Sequence, residues 1–463
     1  MLSLSNYSRS LFTSLRWAKQ YVALMIVASV AVVVGLIVTQ GSLLYVVALA
    51  AIPVVLLWPV EASLGAFVFL IPFDPIALLG NGRTLTWFVG AATVAVLLAA
   101  GLASGRLHRP PQSALWWVLF TSWGAITSFW ALDSTLGTQR LPTVAALIGL
   151  YLIVTSFEIT AKELRTVFIL GIVGGVLASL YSSVTFYQGA NYAGTMRASL
   201  IVGEREAPPN YFAACLLLPI SMTLAGIIYS QQRFRKILYA AALAVMLLAL
   251  FLITSRGAVL AFGVLTFIYF LRIRRVRRIL LPVAISLVLL VFVPNPLSLR
   301  FQEAVSTGGA GRVSIWIAGL DTLEHYWLIG AGMENFPVAY SQFAGSAPVF
   351  KGSQTGSHNL YLKVSVEEGI LGLLLLFAAL ASQFSEAHKI QKDSGSEVPE
   401  LTVVPYEAAC WAMLTVGVFM DSIWDKEFWI CWILLAVVVR IRSHARVEPA
   451  PVDDYALAAH RYR

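Results

Sequence analysis

Charge is scarce in this chain of 463 residues: Asp, Glu, Lys and Arg together make up 12%, roughly half the share of a soluble domain. With 59% of positions hydrophobic, a water-soluble globular fold is excluded. Cysteine is nearly absent. Cys215, Cys410 and Cys431 all lie inside apolar runs, which excludes a disulfide framework and a thiolate metal site and leaves them as packing residues. Two-residue alternation is also missing, so a membrane β-barrel is excluded as well.

What is present is a succession of apolar runs, near 21–39, 43–59, 62–79, 85–103, 114–130, 141–157, 166–186, 211–229, 237–254, 257–271, 279–294, 358–383, 405–421 and 427–440. A helix needs about 20 apolar residues to cross the ~30 Å hydrocarbon core. The expected fold is therefore all-α, a polytopic transmembrane bundle of about 12–14 helices. The run at 62–79 ends in Pro72, Asp74 and Pro75 and reads as a broken or tilted span. The stretch 237–271 is interrupted by Thr254-Ser255-Arg256-Gly257, and a lone arginine at mid-bilayer is costly, so two helices joined by a tight turn are expected. The first run follows Arg9, Arg16 and Lys19, exceeds a signal-peptide core and lacks a small-residue cleavage site, which makes it an uncleaved first helix. The expected organisation is a helical part over 1–294, a long outer loop over 295–357, further transmembrane helices over 358–440 and a tail over 441–463.

The net charge of +8 acquires meaning from its placement. With a cytoplasmic N-terminus and alternating spans, the inner loops and tail hold 22 of the 32 Lys and Arg residues. The positive-inside rule supports that orientation, with both termini cytoplasmic. The basic excess is then topology and contact with anionic lipid heads, not a nucleic-acid surface. Ten basic residues stand against the rule: Arg83, Arg140, Arg197, Arg205, Arg256, Arg300, Arg312, Lys351, Lys363 and Lys426. They are either snorkelling anchors or the means of handling an anionic substrate on the outer face.

The long outer loop carries most of the remaining signal. Residues 312–326, RVSIWIAGLDTLEHY, have helical amphipathic spacing and are expected to lie at the interface. Arg312 falls in the first turn, where a cation opposes the helix dipole, so helix stability does not explain it. Leu328 to Phe336 is a glycine-rich turn without the preceding strand or the Lys-Ser/Thr of a phosphate-binding loop. Ser357 is expected to cap the helix that follows, placing His358 and Asn359 in its first turn. Glu368 would then lie ~15 Å deeper on that helix, where an unpaired carboxylate is costly; it either bonds towards His358 or ties the bundle together. Glu367 points away and reads as structural.

Taken in order, Asn210-Tyr211-Phe212-Ala213 with Pro219, Ser255-Arg256-Gly257-Ala258, Gly311-Arg312-Val313 with Trp316, Leu328-Ile329-Gly330-Ala331-Gly332 with Phe336, and His358-Asn359-Leu360-Tyr361-Leu362 with Glu368-Gly369 and Gly372 resemble the bacterial O-antigen ligase and polymerase superfamily of polytopic membrane glycosyltransferases. The resemblance covers roughly 205–385; the N-terminal half matches only as a hydrophobic bundle, and Tyr326 stands where the family often has proline. It implies a metal-independent, cofactor-free inverting transfer of a glycan from undecaprenyl diphosphate, on the periplasmic side of the bacterial inner membrane, to lipid A-core in a ligase or to another lipid-linked repeat in a polymerase. Matched motif by motif, the essential arginines correspond to Arg256 and Arg312 and the histidine to His358. Guanidinium groups suit a diphosphate leaving group, no Asp-x-Asp pair for Mg²⁺ occurs in the outer loops, and His358 is of the type that serves as general base near neutral pH. Asn210, Arg197, Arg205, Asn359 and Glu368 are candidate substrate contacts. A transporter is the third alternative; it would predict an internal repeat with interrupted helices at midplane, and none is visible.

Overall fold

The computed structural model describes residues 57–77, 83–273, 298–300, 311–349, 355–391 and 398–447, together with the single positions 54, 55, 302, 309 and 352. The expected spans at 21–39, 43–59 and 279–294, the basic run Arg274 to Arg278 and most of the tail lie wholly or largely outside these residues. What is described is helical almost throughout: α1 (Val60–Phe73), α2 (Leu85–Ser104), α3 (Ser113–Thr127), α4 (Ser134–Ser156), α5 (Ala161–Tyr187), α6 (Pro209–Tyr229), α7 (Arg233–Ile253), α8 (Arg256–Arg272), α9 (Arg312–Tyr326), α10 (Phe336–Phe343), α11 (Leu360–Gln391), α12 (Val404–Gly417) and α13 (Lys426–Val447). A two-stranded antiparallel hairpin, β1 (Ile201–Val202) with β2 (Arg205–Glu206), interrupts the connection from α5 to α6. The fold is an all-α polytopic bundle, and six of the described helices are long and apolar enough to cross a membrane.

Local chemistry sets the helix ends. Thr160 and Glu163 form a reciprocal capping box at the start of α5, satisfying two otherwise orphan amide donors. Asp133 accepts from the Thr135 amide at 2.9 Å to start α4. The run at 62–79 is irregular as expected: α1 opens as a π-helical turn over Val60–Gly65 and closes as a 3₁₀ turn at Ile71–Phe73. Beyond it the buried Asp74 takes both the Lys426 ammonium, at 3.0 Å, and the Tyr211 hydroxyl, at 3.0 Å. That ion pair ties the ends of α1 and α13 to α6, and the extra hydrogen bonds are what allow a buried charge pair to be tolerated.

Burial separates central helices from peripheral ones. Within its apolar window α6 is 83% buried, whereas α7 is 22% and α2 28% buried. A helix that is apolar all round and covered all round is a core element, so α6 is the axis, and α2 and α7 present one side outward. A second centre is aromatic. Trp117 of α3 lies 5.0 Å from Trp429 and 5.8 Å from Trp432 of α13, centroid to centroid, with Tyr151 of α4 at 6.1 Å. Gln383 of α11 bonds on both sides of this centre: its Oε1 accepts from Trp117 Nε1 at 2.8 Å and its amide donates to the Trp432 carbonyl. Without water, such internal partners are the only ones available.

Alternation of the helices places the α7–α8 turn, the start of α6, the α9–α10 segment, the start of α11 and the α12–α13 connection at one end of the bundle. The α2–α3, α4–α5 and α6–α7 turns and the C-terminal ends of α11 and α13 lie at the other.

Candidate functional site

At the first of these ends a cleft with an empty volume of about 520 Å³ opens between α6, the α7–α8 turn, α9 and the end of α12. Its polar lining is Asn210, Thr254, Ser255, Arg256, Arg300 and Arg312, with Phe419 and Met420 on the apolar side. The α7–α8 turn is the interruption marked in the sequence. Ile253 ends α7, Thr254 turns left-handed at φ 52°, and Ser255 Oγ accepts from the Ala258 amide at 3.4 Å to start α8. A β-branched residue at positive φ is strained, and strain of this kind gathers at functional sites. The turn projects Arg256 into the cleft, where its Nη1 donates to the Arg300 carbonyl at 2.6 Å. Arg197 closes the back: its Nε donates to the Ile253 carbonyl at 3.1 Å and its Nη2 to Asn210 Oδ1 at 3.0 Å. Arg312, the first residue of α9, has its guanidinium 6.0 Å from the Phe419 ring centre.

Four guanidinium groups thus share one region. The pKa of Arg197 is lowered to about 10, first by burial and then by Arg300, Arg256 and Arg312, against the opposing influence of Tyr192. Arg312 is lowered in the same way, by burial and then by Arg256 and Arg300, with Asp421 opposing. That mutual lowering records like charges held close together. Two polar atoms lining the cleft or its wall, Thr254 Oγ1 and Arg300 Nε, are buried and have no hydrogen-bond partner among the described residues. Chemically the cleft presents several guanidinium donors, the groups that bind phosphate oxygens bidentately.

His358 stands beside it. Its backbone is left-handed at φ 46° and its ring is exposed. The surrounding protein nonetheless pushes its pKa below the ordinary imidazole value, by burial first and by Arg312, while Asp421 pulls the other way. The neutral, proton-accepting form is therefore favoured at neutral pH. Asp421 also holds the turn: its Oδ1 accepts from Ser357 Oγ and from the Asn359 amide at 2.9 Å. A side chain at Gly356 would come within 2.8 Å of Asp421 Oδ2. From the other side Trp316 Nε1 of α9 donates to the Ser357 carbonyl at 3.1 Å.

The start of α11 differs from the expectation. Asn359, not Ser357, caps the helix, its Oδ1 accepting from the Leu362 amide at 2.9 Å. His358 consequently lies before the helix, on the turn, and Asn359 is occupied by capping. Nor is α11 continuous: Gly369 adopts φ 68°, ψ −169°. The glycine-rich segment 328–332 fills that break. Ala331 and Gly332 amides donate to the Val366 and Glu367 carbonyls at 2.8 and 2.9 Å, and the Ile370 amide donates to Trp327 at 2.7 Å. Glu367 takes the Glu334 and Phe336 amides on its two oxygens, at 3.0 and 2.9 Å. The glycines thus make a backbone splice and not a phosphate cradle.

Segment 241–377, which contains α8, α9, α10 and the broken part of α11, matches the family model described as O-antigen ligase. This match supports the O-antigen ligase resemblance over that segment. A search of curated proteins finds no match. Within the matched segment fall Arg256, Arg300, Arg312 and His358. Arg197, Asn210 and Asp421 lie outside it and reach the same site through the fold.

Two candidates are not brought to the cleft. Arg205 sits on β2, its Nη1 3.3 Å from the Ile76 carbonyl. Glu368 is buried against Gly124 of α3 and Gly372, and its backbone carbonyl accepts from Trp123 Nε1 of α3 at 2.8 Å. Two participants escaped the sequence reading. Arg300 was visible only as one of ten misplaced cations, and Asp421, far along the chain from His358, carried no local signal. Among the described residues, no group of three or more His, Cys, Asp and Glu side chains is placed to hold a metal ion.

Proposed function

We propose that the protein is an O-antigen ligase-type inverting glycosyltransferase that moves a glycan from undecaprenyl diphosphate to lipid A-core on the periplasmic face of the inner membrane. The observation carrying this reading is the convergence of Arg197, Arg256, Arg300 and Arg312 beside a histidine held in its neutral form. The acceptor hydroxyl attacks the anomeric carbon and gives its proton to His358. The new glycosidic bond forms as the bond from carbon to diphosphate oxygen breaks. The leaving diphosphate keeps the electron pair, and the guanidinium groups, fixed before the reaction by backbone contacts, stabilise its charge. Asp421 positions the His358 turn and does not touch the reacting atoms.

The deciding experiment is transfer in vitro with purified protein, undecaprenyl-linked glycan and lipid A-core. Wild type should convert core to capped core. Arg256→Ala, Arg312→Ala and His358→Ala should insert normally and lose transfer, with the base variant falling about 10²–10⁴-fold. Full transfer by all three would overturn the assignment. Extension of lipid-linked repeats with no capping of core would replace the ligase by a polymerase.

A further inference from the structure

The opposite end of the bundle holds a second charged cavity that the transfer reaction does not use. It is an open pocket of about 980 Å³ between the α2–α3 turn and the C-terminal ends of α11 and α13. His108, Arg109, Lys389, Arg440 and His444 face it, and Ile390, Ala436 and Val439 form an apolar wall. The His108 and His444 rings lie 6.1 Å apart. The carboxylates nearby are engaged by the fold. Glu386 accepts from the Ser113 amide at 2.8 Å and from its hydroxyl at 2.9 Å, and Glu158 lies 3.3 Å from His108 Nε2. Glu386 lines the pocket too, and against it stand three permanent cations, Arg109, Lys389 and Arg440, so the lining is net positive. The pocket is open on one side and wider than a free phosphate fills.

A second observation says what else belongs there. Pro111 and Gln112 line this pocket and also line an adjoining groove of about 920 Å³ along α3 and α4. That groove is apolar, walled by Leu115, Trp116, Val118 and Leu152, with Leu115 60% exposed. A cationic pocket opening into an apolar groove on a helix's outer side is complementary to an amphiphile with an anionic head. We propose that this is a binding site for an anionic glycerophospholipid, its phosphate among Arg109, Lys389 and the two histidines and one acyl chain along Leu115 and Trp116. The chemistry is that of basic pockets between membrane helices.

The test uses the full-length protein, delipidated in detergent, with native mass spectrometry against phosphatidylglycerol, phosphatidylethanolamine and inorganic phosphate. Phosphatidylglycerol should be retained over phosphatidylethanolamine. Arg109→Glu with Lys389→Glu should weaken that retention about tenfold or more, whereas Arg109→Lys with Lys389→Arg should keep it. Leu115→Gln should weaken the lipid and leave inorganic phosphate unaffected. Both charged positions are exposed, and an unchanged elution profile and helical circular dichroism separate loss of the site from loss of the fold. Undiminished preference in the charge-reversed protein would overturn the proposal. So would full competition by inorganic phosphate with no effect of Leu115→Gln, which would make the pocket a phosphate site alone.

Discussion

At the scale of single residues, the proposed site sets one histidine beside several arginines. Burial and Arg312 lower the His358 pKa and Asp421 raises it, so the two neighbours have opposite signs and can be told apart. If His358 is the base, transfer falls on acidification through its depressed pKa, below the ordinary value of about 6.5. Asp421→Asn removes the raising influence, so the acid limb should move to still lower pH while the maximal rate drops because the 356–359 turn loosens. A pH–rate profile of the variant reads both; an unmoved limb or a shift to higher pH would contradict the arrangement. The arginines make a separate prediction. Lysine retains the charge of Arg256 or Arg312 but not the planar two-pronged donor. Arg256→Lys and Arg312→Lys should lower kcat about tenfold to hundredfold, the scale of one charged hydrogen bond, in the same transfer assay. Arg256, Arg312 and His358 stand out in the sequence as candidates because each sits in a short motif at an interruption between helices. Asp421 and Arg300 do not, because their place beside those residues comes only from contacts distant in the chain.

At the scale of elements, the break in α11 carries the most information. The spacing of residues 358–383 reads as one apolar helix, and neither Gly369 nor Gly330 alone announces otherwise. Together they make the splice possible. A Cβ on Gly330 would lie 2.2 Å from the Glu367 carbonyl oxygen, and one on Gly369 would lie 2.4 Å from that of Leu328. Both residues also hold positive φ, 80° and 68°, so an L side chain is strained even without the collision. Because the obstacle is backbone and cannot rotate away, Gly330→Ala and Gly369→Ala should each cost about 1–3 kcal/mol. Thermal unfolding in detergent should show a lower Tm for both, while Gly345→Ala, where the added Cβ meets nothing, should leave it unchanged. A sequence read by periodicity registers hydrophobic faces, which a spliced helix shares with a continuous one. For that reason the glycine-rich segment was visible as a turn but its partner was not. By contrast the ends of α9 were legible, since its helical spacing and its glycine-rich approach lie within the local sequence, but its packed face was not: Ser314, Ala318, Gly319 and Thr322 are buried while Val313, Ile317 and Leu320 are exposed.

At the scale of the whole molecule, the basic residues that stand against the positive-inside pattern divide by structural use. Lys426 pairs with Asp74 at 3.0 Å, Lys363 with Glu334 at 2.9 Å and Arg140 with Glu334 at 3.5 Å; these knit the cleft end of the bundle together. Arg197, Arg256, Arg300 and Arg312 surround the cleft instead. The opposite end carries Arg106, Lys162, Arg165 and Arg233 to Lys236 in and beside its turns, and Arg109, Lys389 and Arg440 around its own pocket, the basic excess that topology requires of an inner face. The two ends should therefore face opposite sides of the membrane, with the cleft outward. The three native cysteines are free and buried, which gives a low background for thiol labelling. A single cysteine at Ser346, exposed after α10, marks the cleft end, and one at Gln231, exposed between α6 and α7, marks the other. In intact spheroplasts a membrane-impermeant maleimide should label Ser346→Cys and spare Gln231→Cys, and permeabilisation should make the second reactive. The reverse pattern would place the cleft in the cytoplasm and remove the lipid-linked donor from its reach, whatever the chemistry of the arginines. Labelling at both positions before permeabilisation would instead break the alternation of helices on which the bundle's two ends are defined.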